Sequence, residues 1–390
     1  VSGWARLTAL LAVGGTGLAV VSGAAHWGTA HRVLAAVALP PIAALVATAW
    51  VSVRRLLVPS LAALVLFGLA ALLVGRTVHL VFASLAFAAT VWVAAFTFRT
   101  SLDRGPWRDY VTLTKPRIMS LLLVTGAAGF FVGAERFSSL GAFGLTMLGL
   151  ALACGGASAL NHYLDRDIDR LMGSRTEARP VASGRVPPAA ALEFGLALSA
   201  FSFVLLDALV NLPTALLALA GNLFYVVVYT RFLKRSTAQN IVIGGAAGAV
   251  PPLVGFAGAS GHLGWAAVAM FAIVFVWTPP HFWALALMLK EHYARAGVPM
   301  LPVTRGDRET ARQILWYTVV LVAVTLVPAA LGTFGLVYGV SAALLGAAFL
   351  WLAVELRRTM QRAVAVRLFH FSLLYLALLF AAMAIDRVVI

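Results

Sequence analysis

Asn161, Asp165 and Asp169 recur every fourth residue in NHYLDRDIDRLMGSRTEARP, residues 161–180. On a helix the three line one face, each step advancing about 6 Å, while Asp167 points elsewhere. Oxygen ligands so spaced suit Mg²⁺, which keeps several waters and is commonly shared between one or two carboxylates and substrate phosphates. Arg166, Arg170, Arg175, Arg179 and Arg185 follow, and guanidinium forks favour bidentate contact with phosphate. Metal-holding acids beside phosphate-holding bases describe a diphosphate site. The same residues also read as a charged helix end whose ions neutralise one another, and spacing alone leaves both readings open.

The elements that carry this stretch are apolar. The chain is 62% hydrophobic and 11% charged, with a mean hydropathy of +0.95. Soluble domains are about a quarter charged. Apolar runs of about 20 residues recur along the whole length, which predicts an all-α, polytopic membrane protein. Thirteen spans are expected, near 4–25, 30–53, 58–75, 77–98, 116–134, 141–163, 188–209, 213–230, 240–258, 263–289, 311–330, 335–355 and 368–386. The first run lacks a small-residue cleavage site leading into a soluble domain, so it is expected to be a span and not a removable signal. With the first inter-span loop outside, 25 of the 29 Lys and Arg residues fall inside. Only Arg32, Arg76, Arg136 and Arg387 fall outside. This bias puts the N-terminus in the cytoplasm and the C-terminus outside. It also explains the net charge of +15 without nucleic acid. The lone cysteine, Cys154, excludes an internal disulfide and a thiolate metal cluster, and reads as a small buried hydrophobe.

Residues 99–115, RTSLDRGPWRDYVTLTK, are the one long polar connector among the early spans. They divide the chain into a four-span domain, 1–98, and a nine-span domain, 116–388. In the nine-span part the outside loops are short and nearly uncharged (NLP, GASGHLG, LGTFG), and the inside loops are longer and basic. A site built from inside loops and helix ends, facing the cytoplasm, follows. Small-residue runs at 155–159 and 244–249 predict close helix packing in lipid. His281, in WTPPHFWALAL, is an ionisable residue within a span and so a functional candidate. It reads as a metal ligand, a group orienting a bound substrate, a base, or a neutral imidazole bonded to a carbonyl freed by Pro279 and Pro280.

The Asp stretch is similar to the first Asp-rich motif, N-x3-D-x3-D followed by R-x3-R-P, of the UbiA superfamily of intramembrane prenyltransferases. Within it, LTKPRI (113–118), YTRFLKRSTAQNIVIGGAAGAVPPLVGFA (229–257), TPPHFWALAL (278–287) and AGVPMLPV (296–303) resemble the protoheme IX farnesyltransferases, also called heme O synthases. The segments come in that family's order over about 109–388. The resemblance implies a nine-helix prenyltransferase bundle, here preceded by a four-helix membrane bundle. It implies a farnesyl transfer from farnesyl diphosphate to the vinyl group of protoheme IX (heme B), with Mg²⁺ as cofactor, in a bacterial cytoplasmic membrane.

By the same resemblance Asn161, Asp165 and Asp169 would hold Mg²⁺ against the diphosphate, and Lys115, Arg117, Arg175 and Arg179 would contact its oxygens. Tyr229, Lys234, Arg235, Thr237 and Asn240 would stand at the next inside corner, Lys234 and Arg235 facing diphosphate or heme propionates. Tyr163, Phe224, Tyr225, Tyr229, Phe282 and Trp283 are candidates to stabilise a carbocation through their ring faces. The second Asp-rich motif of the wider superfamily is thinned here to LKEHYARAGVPML, in which Glu291 is acidic and His292 and Tyr293 stand where carboxylates are expected. A thinner cluster suits an acceptor bearing two propionates, and puts a second Mg²⁺ in doubt. The four-span part resembles half of a heme A synthase. His31 and His79 open alternate spans at one depth and are candidate heme ligands. Gly28 stands where such enzymes carry an acidic residue, so an oxidase reaction there is not expected. Heme A synthase and cytochrome oxidase assembly factors are the partners implied. Two other classes stay open: a prenyltransferase with a quinone-precursor acceptor, and a non-enzymatic heme-binding membrane protein.

Overall fold

The computed structural model describes residues 8–9, 11–16, 29–52, 57–72, 86, 107–134 and 140–389. Among these, nine helices are long and apolar enough to cross a membrane by length and composition. They are α1 (Pro116–Gly133), α2 (Leu140–Leu164), α3 (Pro188–Leu209), α4 (Leu212–Ser236), α5 (Asn240–Ser260), α6 (Trp265–Met288), α7 (Asp307–Ala330), α8 (Leu336–Thr359) and α9 (Arg362–Val389). All nine expected C-terminal spans are present. Four run further at the ends next to the basic loops than hydropathy indicates. α7 begins at Asp307 with a polar first turn, α9 begins at Arg362, and α8 ends at Thr359. α4 carries on past residue 230 to Ser236, so Arg231, Lys234 and Arg235 ride on a helix end and not in a loop.

Upstream, helices Thr29–Ser52 and Leu57–Leu72 fall on the second and third expected spans and pack on each other. The first and fourth expected spans lie largely outside the described residues. The connector is not all loop. Trp107–Leu113 is helical with Asp109 and Leu113 buried, and the Ser158 hydroxyl of α2 donates to the Leu113 carbonyl at 2.7 Å.

The helices close into a bundle in which α1 packs on α5 and α9, α2 on α3, and α6 on α5, α7 and α9. Hydrophobicity alone cannot drive helices together in lipid, so close approach of small residues matters. Gly126, Gly129 and Gly133 present one face of α1 to the Pro251–Phe256 stretch of α5, and Gly255 answers from α5. A Cβ at Gly255 would lie 1.8 Å from the Gly126 carbonyl oxygen. That is backbone, which cannot swing aside. Gly255→Ala is therefore expected to destabilise by about 1–3 kcal/mol or more, as overpacking does. The check is the thermal midpoint of the purified protein in detergent, with Gly248→Ala, where nothing lies within 4 Å, as the unaffected control.

Candidate active site

At the C-terminal end of α2 the helix breaks, and the break leaves the acidic register intact. Asp165 is the hinge residue (φ −89°, ψ 3°), and a short helix Arg166–Leu171 follows. The Asp165 amide still donates to the Asn161 carbonyl and the Asp169 amide to the Asp165 carbonyl, both at 2.8 Å. The i, i+4, i+8 face expected of an unbroken helix thus survives a bend. Asn161, Asp165 and Asp169 are buried, whereas Asp167 is exposed.

Each buried acid meets a cation from elsewhere in the chain. Lys234 Nζ lies 2.5 Å from Asp165 Oδ2, and Arg179 lies 2.5 Å from Asp169 Oδ1. Asn161 is the hub. Its carbonyl oxygen accepts from Lys115 Nζ at 2.7 Å, and its amide donates to Asp165 Oδ2 at 2.8 Å and to the Thr230 hydroxyl at 3.1 Å. Thr230 carries no signal in the sequence beyond its place between Tyr229 and Arg231. Thr230→Val leaves one amide hydrogen of Asn161 without an acceptor, a loss of about 1–3 kcal/mol. Pyrophosphate affinity is expected to fall about tenfold, measured by calorimetry on the purified protein.

Two further local conformations aim this cluster. Lys115 sits in the left-handed region (φ 50°, ψ 60°) directly before Pro116. A left-handed non-glycine residue costs about 1–2 kcal/mol, and proline already disfavours the right-handed helical alternative at the preceding residue. The turn delivers the amine to Asn161. In α4, Phe224–Leu233 is π-helical. The i→i+5 pattern brings residues five apart close to one another, as Tyr225 and Thr230 are. Tyr225 stacks on Tyr229 with ring centroids 5.5 Å apart. Gly244 of α5 makes room, since a Cβ there would lie 2.3 Å from the Tyr229 ring.

Burial and charge set the ionisation of the loop groups. Burial, with Arg179 as the second cause, pulls the Lys115 amine down to about 7. Burial also raises the Asp169 carboxyl, against the pull of Arg179. Tyr293 is pushed up to about 12, chiefly by burial, and feels both Arg179 and Asp165. Asp167 is the contrast. Hydrogen bonds from Arg235 hold it down at about 2; the fork is bidentate, with both contacts at 2.7 Å.

Not every expected residue joins the cluster. Arg117 is exposed, and its side chain makes no hydrogen bond or ion pair among the described residues. The helical register turns it away as soon as α1 begins. Arg235 pairs with Asp167 and the Leu164 carbonyl, and Asn240 caps its own turn by donating to the Thr237 carbonyl. Glu291 is exposed on the short helix Lys290–Arg295, while Tyr293 on the same helix is buried. His292 bonds the Met172 carbonyl at 2.5 Å, tying this helix to the Asp loop. Arg185 clamps Asp109 and the Ala178 carbonyl, fixing the Arg-rich loop to the pre-α1 helix. His281 is buried in α6 against α9. Trp283 is buried and packs edge-on against Tyr317 of α7. The side chains of Arg175 and His31, and all of His79, lie outside the described residues.

Can these residues hold a divalent cation? Asp165 Oδ1, 3.9 Å from Arg235, and Asp169 Oδ2 are buried oxygens without a hydrogen bond. Buried carboxylate oxygens are rarely left so. No group of three or more His, Cys, Asp or Glu gathers among the described residues. One free oxygen from each of two carboxylates fits a hard cation that draws its other ligands from phosphate and water. The Asn161 amide oxygen accepts from Lys115 Nζ and its amide nitrogen donates to Asp165 Oδ2.

Proteins named protoheme IX farnesyltransferase are similar to the chain. The one from Symbiobacterium thermophilum is 54% identical over 281 residues, 72% of this chain and 94% of that protein. The one from Gloeobacter violaceus is 51% identical over 284 residues, covering 92% of that protein. The one from Roseiflexus sp. (strain RS-1) is 51% identical, and there the chain spans about half, 53%, of a longer protein. Among solved structures, a digeranylgeranylglyceryl phosphate synthase superposes with a TM-score of 0.62 at 19% identity, over 73% of this chain and 99% of that one. A UbiA homologue from Archaeoglobus fulgidus bound to GPP and Mg²⁺ superposes with a TM-score of 0.54 at 18% identity, over 70% of this chain and 99% of that one. Residues 122–381, which carry the acidic face, Arg179, Lys234 and the stacked Tyr225 and Tyr229, match the UbiA prenyltransferase family, and the chain belongs to that family.

Proposed function

We propose that the chain transfers a farnesyl group from farnesyl diphosphate to a vinyl group of protoheme IX, with addition of water, giving heme O and diphosphate. The observation that carries the chemistry is the pair of unpartnered buried carboxylate oxygens on Asp165 and Asp169, ringed by Lys115, Arg179 and Lys234. The acceptor follows from the relatives' names. Asp165 and Asp169 would hold Mg²⁺, which neutralises charge on the leaving diphosphate when bound.

The residues then divide the work. Lys234 and Arg179 supply positive charge where negative charge develops as the allylic C–O bond ionises, and Lys115 adds its charge below its depressed titration at about 7. Each such donor is worth about 10²–10³ in rate. Asn161, held by three hydrogen bonds, keeps Asp165 and Lys115 in register. The stacked Tyr225 and Tyr229 rings offer π faces to the farnesyl cation. Both rings are partly buried, which limits the water that reaches that cation. The vinyl group attacks the cation, forming the new C–C bond, and the positive charge left beside the porphyrin is captured by water, which loses its proton.

The basic inside loops support a site facing the cytoplasm of a bacterial inner membrane. The matched region supports a prenyltransferase domain of nine spans, with residues 1–98 as a separate membrane domain for heme handling or for docking partners such as heme A synthase. The test is acid-acetone extraction of hemes from membranes expressing the chain, followed by chromatography and mass spectrometry. A farnesylated, hydroxylated heme is the expected product. Unchanged heme B beside a newly prenylated aromatic acid would move the acceptor to a quinone precursor.

A further inference from the structure

His281 is 7% exposed, inside α6, and its surroundings fix which nitrogen carries the proton. The Ser372 hydroxyl of α9 donates to the Phe369 carbonyl at 2.7 Å. Its one hydrogen is therefore used, and it meets His281 Nδ1 at 2.6 Å as an acceptor. With the serine hydrogen on the Phe369 carbonyl, Nδ1 is the donor to Ser372 Oγ and Nε2 presents a lone pair. Nε2 makes no hydrogen bond among the described residues and is not one of the fully buried unpartnered atoms, so it stays open to a ligand.

The ring cannot easily turn. It lies between Trp277 (centroids 4.3 Å, 14° between planes) and Phe369 (4.8 Å, 20°). Trp277 Nε1 donates to the Ser372 carbonyl at 2.8 Å, so the stack and the serine are bolted to each other across the α6–α9 contact. Both faces of the imidazole are covered and one nitrogen is anchored. An imidazole whose other nitrogen donates to a fixed acceptor is the usual arrangement of a metal-bound histidine. The bland alternative, a histidine satisfied by a carbonyl that the prolines free, is not what forms. Its partner is a side chain on another helix.

We infer that His281 Nε2 ligates the iron of the heme acceptor, and that Ser372 is the positioning residue that sets its tautomer and basicity. This rests on the reading of protoheme IX as acceptor. Depth agrees with it. His281 lies seven residues from the cytoplasmic end of α6 and Asn161 three from that of α2, about 10 Å and about 5 Å along the helices. Iron bound at the deeper level leaves a vinyl group, at the porphyrin's edge, free to extend up toward the diphosphate level.

The test is titration of the full-length purified protein in lipid nanodiscs with heme B, followed by optical spectroscopy and by resonance Raman of the ferrous form. The wild type is expected to show an iron–histidine stretch. His281→Ala loses it, and added imidazole restores it. Ser372→Ala keeps the ligand but binds heme about 10–100-fold more weakly, with the stretch moved to lower frequency. A merely structural serine would leave that frequency where it was. A heme spectrum and affinity identical in wild type and His281→Ala overturn the inference while leaving the acceptor intact. If His281→Ala does not accumulate, an unmoved stretch in Ser372→Ala overturns it equally. A wild type that binds no heme overturns the acceptor reading and this inference with it.

Discussion

Asp165→Ala and Asp169→Ala each lower heme O formation by about 10²–10³-fold, and Asp167→Ala changes it by less than about fivefold. The three acids lie within five residues, so the contrast tests geometry and not local charge. Asp165 and Asp169 are 0% and 1% exposed, and each offers an oxygen with no hydrogen bond. Asp167 is 60% exposed in its side chain and spends both oxygens on Arg235. An exposed ion pair contributes about 0.2–1 kcal/mol, which bounds the effect of removing it. The readout is heme O formed per unit of protein in isolated membranes, with diphosphate release measured alongside. An Asp167 variant as impaired as the other two would show that the loop's total charge, not the free oxygens, carries the activity.

Much of this site is legible in the amino-acid sequence. The four-residue spacing survives the bend at Asp165 because the backbone bonds of residues 165 and 169 span it. The nine C-terminal spans follow from hydropathy, because a lipid-facing helix must be apolar over its whole length. What the sequence conceals lies between elements. Nothing local marks Thr230 as the acceptor for Asn161 or Ser372 as the partner of His281, since each meets a residue 69 or 91 positions away. The π-helical turn in α4 is equally silent, because nothing in FYVVVYTRFL marks it apart from an α-helical stretch. Arg117 errs the other way. It belongs to the motif but lies one helical step beyond Pro116, on the exposed face.

The second large effect separates stability from chemistry at one ion pair. Lys234→Met leaves Asp165 buried without its cation. Removing one partner of a buried pair costs about 3–5 kcal/mol, because the remaining charge stays desolvated. The loss is expected as a lower thermal midpoint in detergent, together with a loss of turnover of about 10²-fold. Asp165→Leu combined with Lys234→Met removes both charges at once. A well-packed apolar pair is often as stable as the ion pair it replaces, so the double variant is expected to recover most of the midpoint. Its turnover stays at the level of Asp165→Ala, because the free oxygen and the phosphate-facing amine are both gone. Recovery of activity with stability would mean that Lys234 and Asp165 only hold α4 against α2. Recovery of stability alone shows that the buried pair is retained for the reaction, at a site where two apolar residues would hold the helices as well.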